Sequence, residues 1–236
     1  LAKHVFPKLN QKSTCIDIGA NIGNHSLAFS PFFKQVISLE PHPTTFRLLE
    51  INAELVSNVK AYNIGASSVR RTVEVAINKS NQGATSIGAS VNTETDMVSF
   101  DLAQLDELEE LKSLPPVSFI KLDVEGHEVE AILGAENIIR NNRPVLAIEI
   151  LPSDIENDTC ESVELLKKFG YKNFYEMRER GWLGQLSRRP KKLARTILTL
   201  TTGSRPSKAT ELGRVSKLEK RSYPMLICTT ELELTL

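Results

Sequence analysis

Short apolar runs alternate with longer amphipathic ones through the first 177 residues of this 236-residue chain. Residues 14–18 are a short apolar run followed by a glycine turn, the pattern of a buried strand. A helix is expected over 24–33, with Asn24 as its cap and Pro31 near its end. Residues 35–39 read as a second strand. Residues 43–55 read as a helix, because Pro43 suits a first turn and Phe46, Leu49 and Ala53 share one face. A third strand is expected at 59–64. At 71–77, Val73, Val75 and Ile77 alternate with Thr72, Glu74 and Ala76, which predicts an antiparallel or edge strand.

Residues 78–90 are rich in Asn, Ser and Gly and read as a mobile loop. The acidic stretch 98–114 is expected to be mostly helical from Asp101, with Pro115 and Pro116 as its stop. A strand at 117–123, a helix at 125–140, a strand at 144–150, a helix at 161–169 ended by Gly170 and a strand at 171–176 follow. Residues 221–230 regain a strand pattern and are expected to return to the sheet edge. Repeated strand–helix–strand units predict a mainly parallel sheet with helices on both faces. Right-handed crossovers then put the ligand crevice at the C-terminal ends of the strands.

Composition adds boundaries to this picture. Hydrophobic residues make up 41% and charged residues 25%, which argues against wholesale disorder. No run of about 18 apolar residues exists, so no membrane-spanning helix is expected. Cys15, Cys160 and Cys228 are scattered, neither a disulfide framework nor a zinc site. They read as small buried hydrophobes in a reducing, cytoplasmic compartment. The chain begins Leu-Ala-Lys and reads as a fragment or a processed chain.

Net charge is zero, yet 178–222 holds 13 Lys or Arg against 3 Glu. One basic segment in a neutral chain is not the pattern of a general nucleic-acid binder, and it suits a local anionic partner. The organisation expected is one domain over 1–236, with core motifs in 12–176, a basic excursion at 178–221 and a return strand at 222–230. The excursion is expected to leave the sheet on its ligand side and line the entrance for an anionic acceptor.

Four constellations could carry chemistry. In 15–24 a strand ends in Asp17, and Gly19 and Gly23 bracket the turn into a helix. Glycines let the backbone approach a ligand, and helix amides favour an anionic group such as a carboxylate. Asn21 stands where a dinucleotide fingerprint would have its middle glycine, and Asn tolerates left-handed geometry. Glu40 ends the second strand 21 residues after Gly19, where an acid can accept hydrogen bonds from both hydroxyls of an adenosine ribose. His42, between two prolines, reads as a surface turn residue. In 119–127, alternation puts Lys121, Asp123 and Glu125 on one side of a strand end, a costly cluster unless a site needs it. His127 suits either a base or a helix cap. Glu149 interrupts the apolar end of the next strand and would sit beside Asp123 if those strands are neighbours. Asp123, Glu125 and Glu149 supply hard oxygen ligands of the kind a divalent ion takes, but spacing does not show that they converge, and no metal ligand is assigned.

The motifs DIGANIG (17–23), EPHPTTF (40–46), FIKLDVEGHE (119–128) and RPVLAIEI (143–150), in this order and spacing, resemble the FkbM-type methyltransferases. The resemblance covers roughly 12–176. It implies an α/β protein with the Rossmann-like class I methyltransferase fold, its mainly parallel sheet seven-stranded. It implies transfer of the methyl group of S-adenosyl-L-methionine, usually to a hydroxyl of a sugar, glycan or natural product. By the same resemblance Asp17, Gly19, Asn21 and Gly23 would hold the methionine part of the cofactor and Glu40 the ribose. Asn63, Ile64 and Gly65 would lie near the adenine, with Ala66 beside them. Asp123 and Glu125 would face the methyl group and the acceptor, and Asp123, Glu125 and His127 are the local catalytic candidates for taking the acceptor's proton. Two other readings compete: a nicotinamide-dependent oxidoreductase, on the glycine turn and the later acid, and a non-catalytic anion- or RNA-binding protein acting through the basic segment. The first lacks the fingerprint's middle glycine. The second lacks interleaved aromatics, with only Trp182 and Tyr223 flanking the stretch.

Overall fold

The computed structural model describes residues 1–78, 95–179, 210–231 and 234. Its centre is β1 (Thr14–Ile18), buried along its whole length. Parallel neighbours flank it on both sides, β2 (Gln35–Leu39) and, later in the chain, Val117–Leu122. Strand β3 (Val59–Tyr62) extends the sheet beyond β2. Helix α1 (Asn24–Phe29) links β1 to β2, and α2 (Pro43–Ala53) links β2 to β3. The helix expected over 24–33 stops at Phe29 and becomes a 3-10 turn at Ser30–Phe32, because Pro31 lacks the amide a helix interior needs. The strand expected to reach 64 ends at Tyr62.

The chain then leaves this sheet. Strand β4 (Gly65–Ala66), β5 (Arg71–Asn78) and β6 (Thr95–Ala103) form a separate three-stranded sheet in the order β4-β6-β5. Here the reading of a helix from Asp101 fails. Val98, Phe100 and Leu102 pack inward while Ser99 and Asp101 meet Glu74 and Thr72 across the antiparallel pair. Period-two burial outweighed the acidic, helix-like composition. What remains is a 3-10 turn at Leu105–Glu107 and one helical turn, α3 (Glu109–Lys112). The loop expected at 78–90 lies almost wholly outside the described residues.

Strand β7 (Val117–Leu122) returns to the main sheet and pairs in parallel with β8 (Val145–Ile150). The helix expected over 125–140 starts at Glu128 and is two pieces, α4 (Glu128–Gly134) and α5 (Glu136–Asn142). Its start is delayed because Glu125 and Gly126 take positive φ, 54° and 96°. Helix α6 (Glu161–Lys168) precedes β9 (Asn173–Glu179), and β10 (Thr210–Arg214) and β11 (Tyr223–Thr229) follow.

The main sheet has the order β10-β9-β11-β8-β7-β1-β2-β3, eight strands where seven were expected. The extra strand is β10, antiparallel on β9 at the sheet's end. Strand β11 does not return to the edge. It runs antiparallel between β8 and β9. An edge position would have left a face of its apolar segment wet, whereas Leu226, Ile227 and Cys228 are fully buried. One face of the sheet packs on α4, α5 and α6. The other packs on α1 and on Phe6, whose ring meets Phe29, Phe33 and Phe119 edge-on at 5.0–5.4 Å. All three cysteines are free and buried. Among the described residues no helix is long and apolar enough to cross a membrane.

Candidate active site

The C-terminal ends of β1, β2, β7 and β8 meet on one side of the sheet, and a cleft of about 130 Å³ opens there. Its floor is the turn after β1. Gly19 has φ 74°, and a Cβ placed on it would lie 1.9 Å from the Asp123 carbonyl oxygen, so only glycine lets β1 and β7 end this close together. Asn21 follows at φ 52°, the left-handed position its side chain tolerates. At Gly23, φ 90°, the chain enters α1.

Glu40, at the end of β2, is 8% exposed and fully engaged on its inner side. Its Oε2 accepts from the Asn21 amide and its Oε1 from the His42 amide, both at 2.9 Å. Burial raises its pKa, and the two amides hold that rise back. Each oxygen keeps a lone pair for a ligand. Asn63 stands behind it, donating to the carbonyls of Glu40 and Pro41.

The opposite wall is acidic. Asp123 is one-third exposed and lies at the end of β7. Glu125 and Glu149 approach it, with one carboxylate oxygen from each of the three within 4.8 Å of the others. Such a trio is a donor set that a divalent ion can use. Glu149 Oε2 is buried and has no hydrogen-bond partner among the described residues. Burial, and then the charge of Asp123, push the Glu149 carboxyl from 4.5 up to about 7. Glu125 moves upward for the same two reasons. His127 does not cap α4 with its side chain. Its Nε2 lies 3.2 Å from Ser67 Oγ, and burial lowers its pKa.

Between the two walls lies Lys121, 2% exposed. Its Nζ is 3.2 Å from the Gly19 carbonyl oxygen, 3.3 Å from Asp17 Oδ1 and 3.2 Å from Asp123 Oδ2. Burial pulls its pKa down, and Asp17 with Asp123 more than reverse that. Asp17 is fully buried, and its Oδ2 accepts from Ser26 Oγ at 2.6 Å.

Of the residues expected at the cofactor, Gly19, Asn21, Glu40 and Gly65 line the cleft, as do the expected catalytic residues Asp123, Glu125 and His127. Asp17, Gly23, Asn63 and Ile64 stand behind the lining as its supports. Sequence reasoning missed four contributors. Phe100 and Leu102 line the cleft from β6, which composition had disguised as a helix. His42 is a helix cap as well as a lining residue: its Nδ1 accepts from the Thr44 and Thr45 amides, and a residue just ahead of Pro43 at a helix start was the available signal. Glu128 accepts from the Val124 and Gly126 amides and so shapes the turn that aims Glu125. The basic segment falls largely at 180–209, outside the described residues. Of its described cations, Arg178 and Arg221 both pair with Glu176.

A crevice at the carboxyl ends of parallel strands, with an acid closing the second strand, is where an open Rossmann-like α/β sheet takes its ligand. The chain belongs to the FkbM methyltransferase family, whose Methyltransferase FkbM domain matches residues 17–173. That membership sets aside the nicotinamide alternative. The chain is 32% identical over 131 residues to the Hexuronic acid methyltransferase AglP of Haloferax volcanii, across 53% of this chain and 51% of that one. It is 28% identical over 181 residues to Methyltransferase 1 of Beauveria bassiana, across 67% and 72%. A solved FkbM methyltransferase from Methylobacillus flagellatus superposes with a TM-score of 0.41 at 22% identity, over 61% of this chain and 36% of that one. The chain thus spans about half the length of the Haloferax relative.

Proposed function

We propose that this chain is a methyltransferase that uses S-adenosylmethionine and acts on a hydroxyl oxygen of a sugar or sugar-like acceptor. The observation that carries the reading is the Asp123 carboxylate on the lip of the cleft, facing the space bounded by Gly19 and Glu40. The sugar as substrate class is supported by the name of the Haloferax relative, a hexuronic acid methyltransferase.

The residues fit the cofactor. The Gly19 turn lines the cleft with backbone, with glycine required there by the close approach of the Asp123 carbonyl, and Glu40 offers its remaining lone pairs to vicinal hydroxyls. Gly19 and Asn21 would take the methionine part and Glu40 the ribose, with Asp17 and Gly23 fixing the turn from behind. Gly65 would lie against the adenine, with Asn63 and Ile64 supporting it. Bound S-adenosylmethionine supplies a methyl group already activated as a sulfonium. The protein's part is alignment, exclusion of water and removal of one proton. Alignment is worth about 7–11 kcal/mol, and a positioned base about 10²–10⁴-fold. Lys121 holds Asp123 Oδ2, so Oδ1 is the oxygen left to take the hydroxyl proton. Glu125 and His127 flank that position and orient the acceptor.

Asp123→Asn keeps the shape and removes the base. Turnover should fall by about 10²-fold or more with S-adenosylhomocysteine affinity nearly unchanged. Transfer of radiolabelled methyl to hexuronic acid and neutral hexose glycosides, with calorimetry beside it, measures both. Full turnover in the variant would remove Asp123 from the mechanism.

A further inference from the structure

Lys121 belongs to neither wall of the cleft, yet it touches both. It faces Asp17 across the β1–β7 pairing, on the same side of the sheet as Phe119 and Asp123. A lysine buried this deeply is costly unless its charge is compensated. Asp17, fully buried beside it, already supplies one compensating charge. A pair kept only for the fold would be complete at that point. Here the ammonium has two further partners, and each belongs to a different half of the site. One is the carbonyl of Gly19, the left-handed residue at the bottom of the cofactor turn. The other is Asp123, the exposed carboxylate of the acceptor wall. The ammonium donates a hydrogen bond to the Gly19 carbonyl and is ion-paired with Asp17 Oδ1 and Asp123 Oδ2, all at 3.2–3.3 Å.

We infer that Lys121 is a positioning residue for methyl transfer: its ammonium ties the cofactor turn at Gly19 to the acceptor carboxylate of Asp123, so that one buried charge sets the register between them. The inference rests on the assignment of Asp123 given above. It has two parts, each separately measurable. Through Gly19 the tether shapes the cofactor turn, and through Asp123 it orients the proton acceptor against the repulsion of Glu125 and Glu149. A misplacement of about 1 Å at reacting groups can cost about 10²-fold in rate, so an untethered Asp123 is a large loss. Arginine is no substitute, since its wide planar guanidinium cannot set one compact charge within 3.3 Å of all three oxygens.

The test compares Lys121→Met, Asp123→Asn and the double variant in the full chain. The readouts are kcat, the KM for S-adenosylmethionine, calorimetric affinity for S-adenosylhomocysteine and melting temperature. Lys121→Met should lower kcat roughly 10- to 100-fold and weaken S-adenosylhomocysteine several-fold. The double variant should turn over little more slowly than Asp123→Asn alone, because Lys121 acts through Asp123. Multiplicative kcat losses with unchanged S-adenosylhomocysteine affinity would overturn the inference. So would a lowered melting temperature with kcat intact, which would leave only a structural ion pair. If Lys121→Met fails to fold because Asp17 is left uncompensated, the same comparison is run on Lys121→Met combined with Asp17→Asn, against Asp17→Asn alone. Full activity of Asp123→Asn would sink the proton-acceptor assignment by itself, and the tether would then stand or fall on the S-adenosylhomocysteine affinity of Lys121→Met.

Discussion

The two walls of the cleft solve opposite problems with the same side-chain chemistry. On the side proposed for the cofactor, the buried carboxylate of Glu40 has both oxygens engaged by backbone amides, which offset part of the rise that burial gives its pKa. On the side proposed for the acceptor, Asp123, Glu125 and Glu149 crowd one another, and an oxygen of Glu149 is buried without a hydrogen-bond partner among the described residues. Satisfied polar groups fix a ligand's position at no reorganisation cost. Crowded carboxylates do the reverse, raising the affinity of the site for a positive charge or a proton. The contrast is what supports the proposal that one wall holds the cofactor and the other reacts.

That contrast can be broken from the holding side with the largest effect. Gly19→Ala drives a methyl group to within 1.9 Å of the Asp123 carbonyl at a φ of 74°. The walls would have to part, with destabilisation of about 4 kcal/mol or more and loss of S-adenosylhomocysteine binding. Chemical denaturation and calorimetry check this, and a stable variant that still binds would show that the walls need not meet there. A smaller effect follows from Glu40→Ala. Two ribose hydrogen bonds at about 1.5–3 kcal/mol each would be lost, so affinity should drop at least tenfold in a folded protein while the acceptor wall stays intact. Unchanged affinity would move the ribose elsewhere.

The smallest effect sharpens the other side. Glu149 titrates near 7 in the folded chain and at 4.5 ordinarily. Between those values the native state binds more protons than the unfolded state, so this group's contribution to stability falls as pH rises through that window and is fully lost above it. Glu149→Gln removes that loss. With EDTA present to keep divalent ions away, the variant should melt higher than the parent at about pH 8, and the advantage should vanish toward about pH 4.5. A difference independent of pH would mean that Glu149 carries no strain of charge.

Much of this site could be read in the sequence, because its parts are local. Gly19, Glu40 and Asp123 each follow directly on a short apolar run, and the end of a parallel strand is where such residues gain access to a ligand. What could not be read depended on distant pairing. The convergence of Glu149 on Asp123 needs β7 and β8 to be neighbours, and that follows from packing. The strand character of 95–103 was masked by acidic residues that face away from its partner's apolar side. A Cβ on Gly134 would lie 2.0 Å from the Ser67 carbonyl, so α4 and the 65–67 segment are pressed together, a contact between distant segments that also brings His127 beside Ser67.

The place of β11 has a consequence for how the chain folds. Strands β8 and β9 are never hydrogen-bonded to each other, because residues 223–229 lie between them. During synthesis β9 therefore has no seat in the main sheet until a segment made some fifty residues later has been inserted, and β8 keeps an unpaired apolar edge for the same interval. Contacts of such long sequence separation form slowly, because the intervening loop must close first. The half of the sheet that builds the cleft, β3 to β8, is complete long before. Assembly of the site and closure of the fold are thus separate events in time, and the exposed flank of β8 is the surface on which the nascent protein is open to mispairing or to a chaperone.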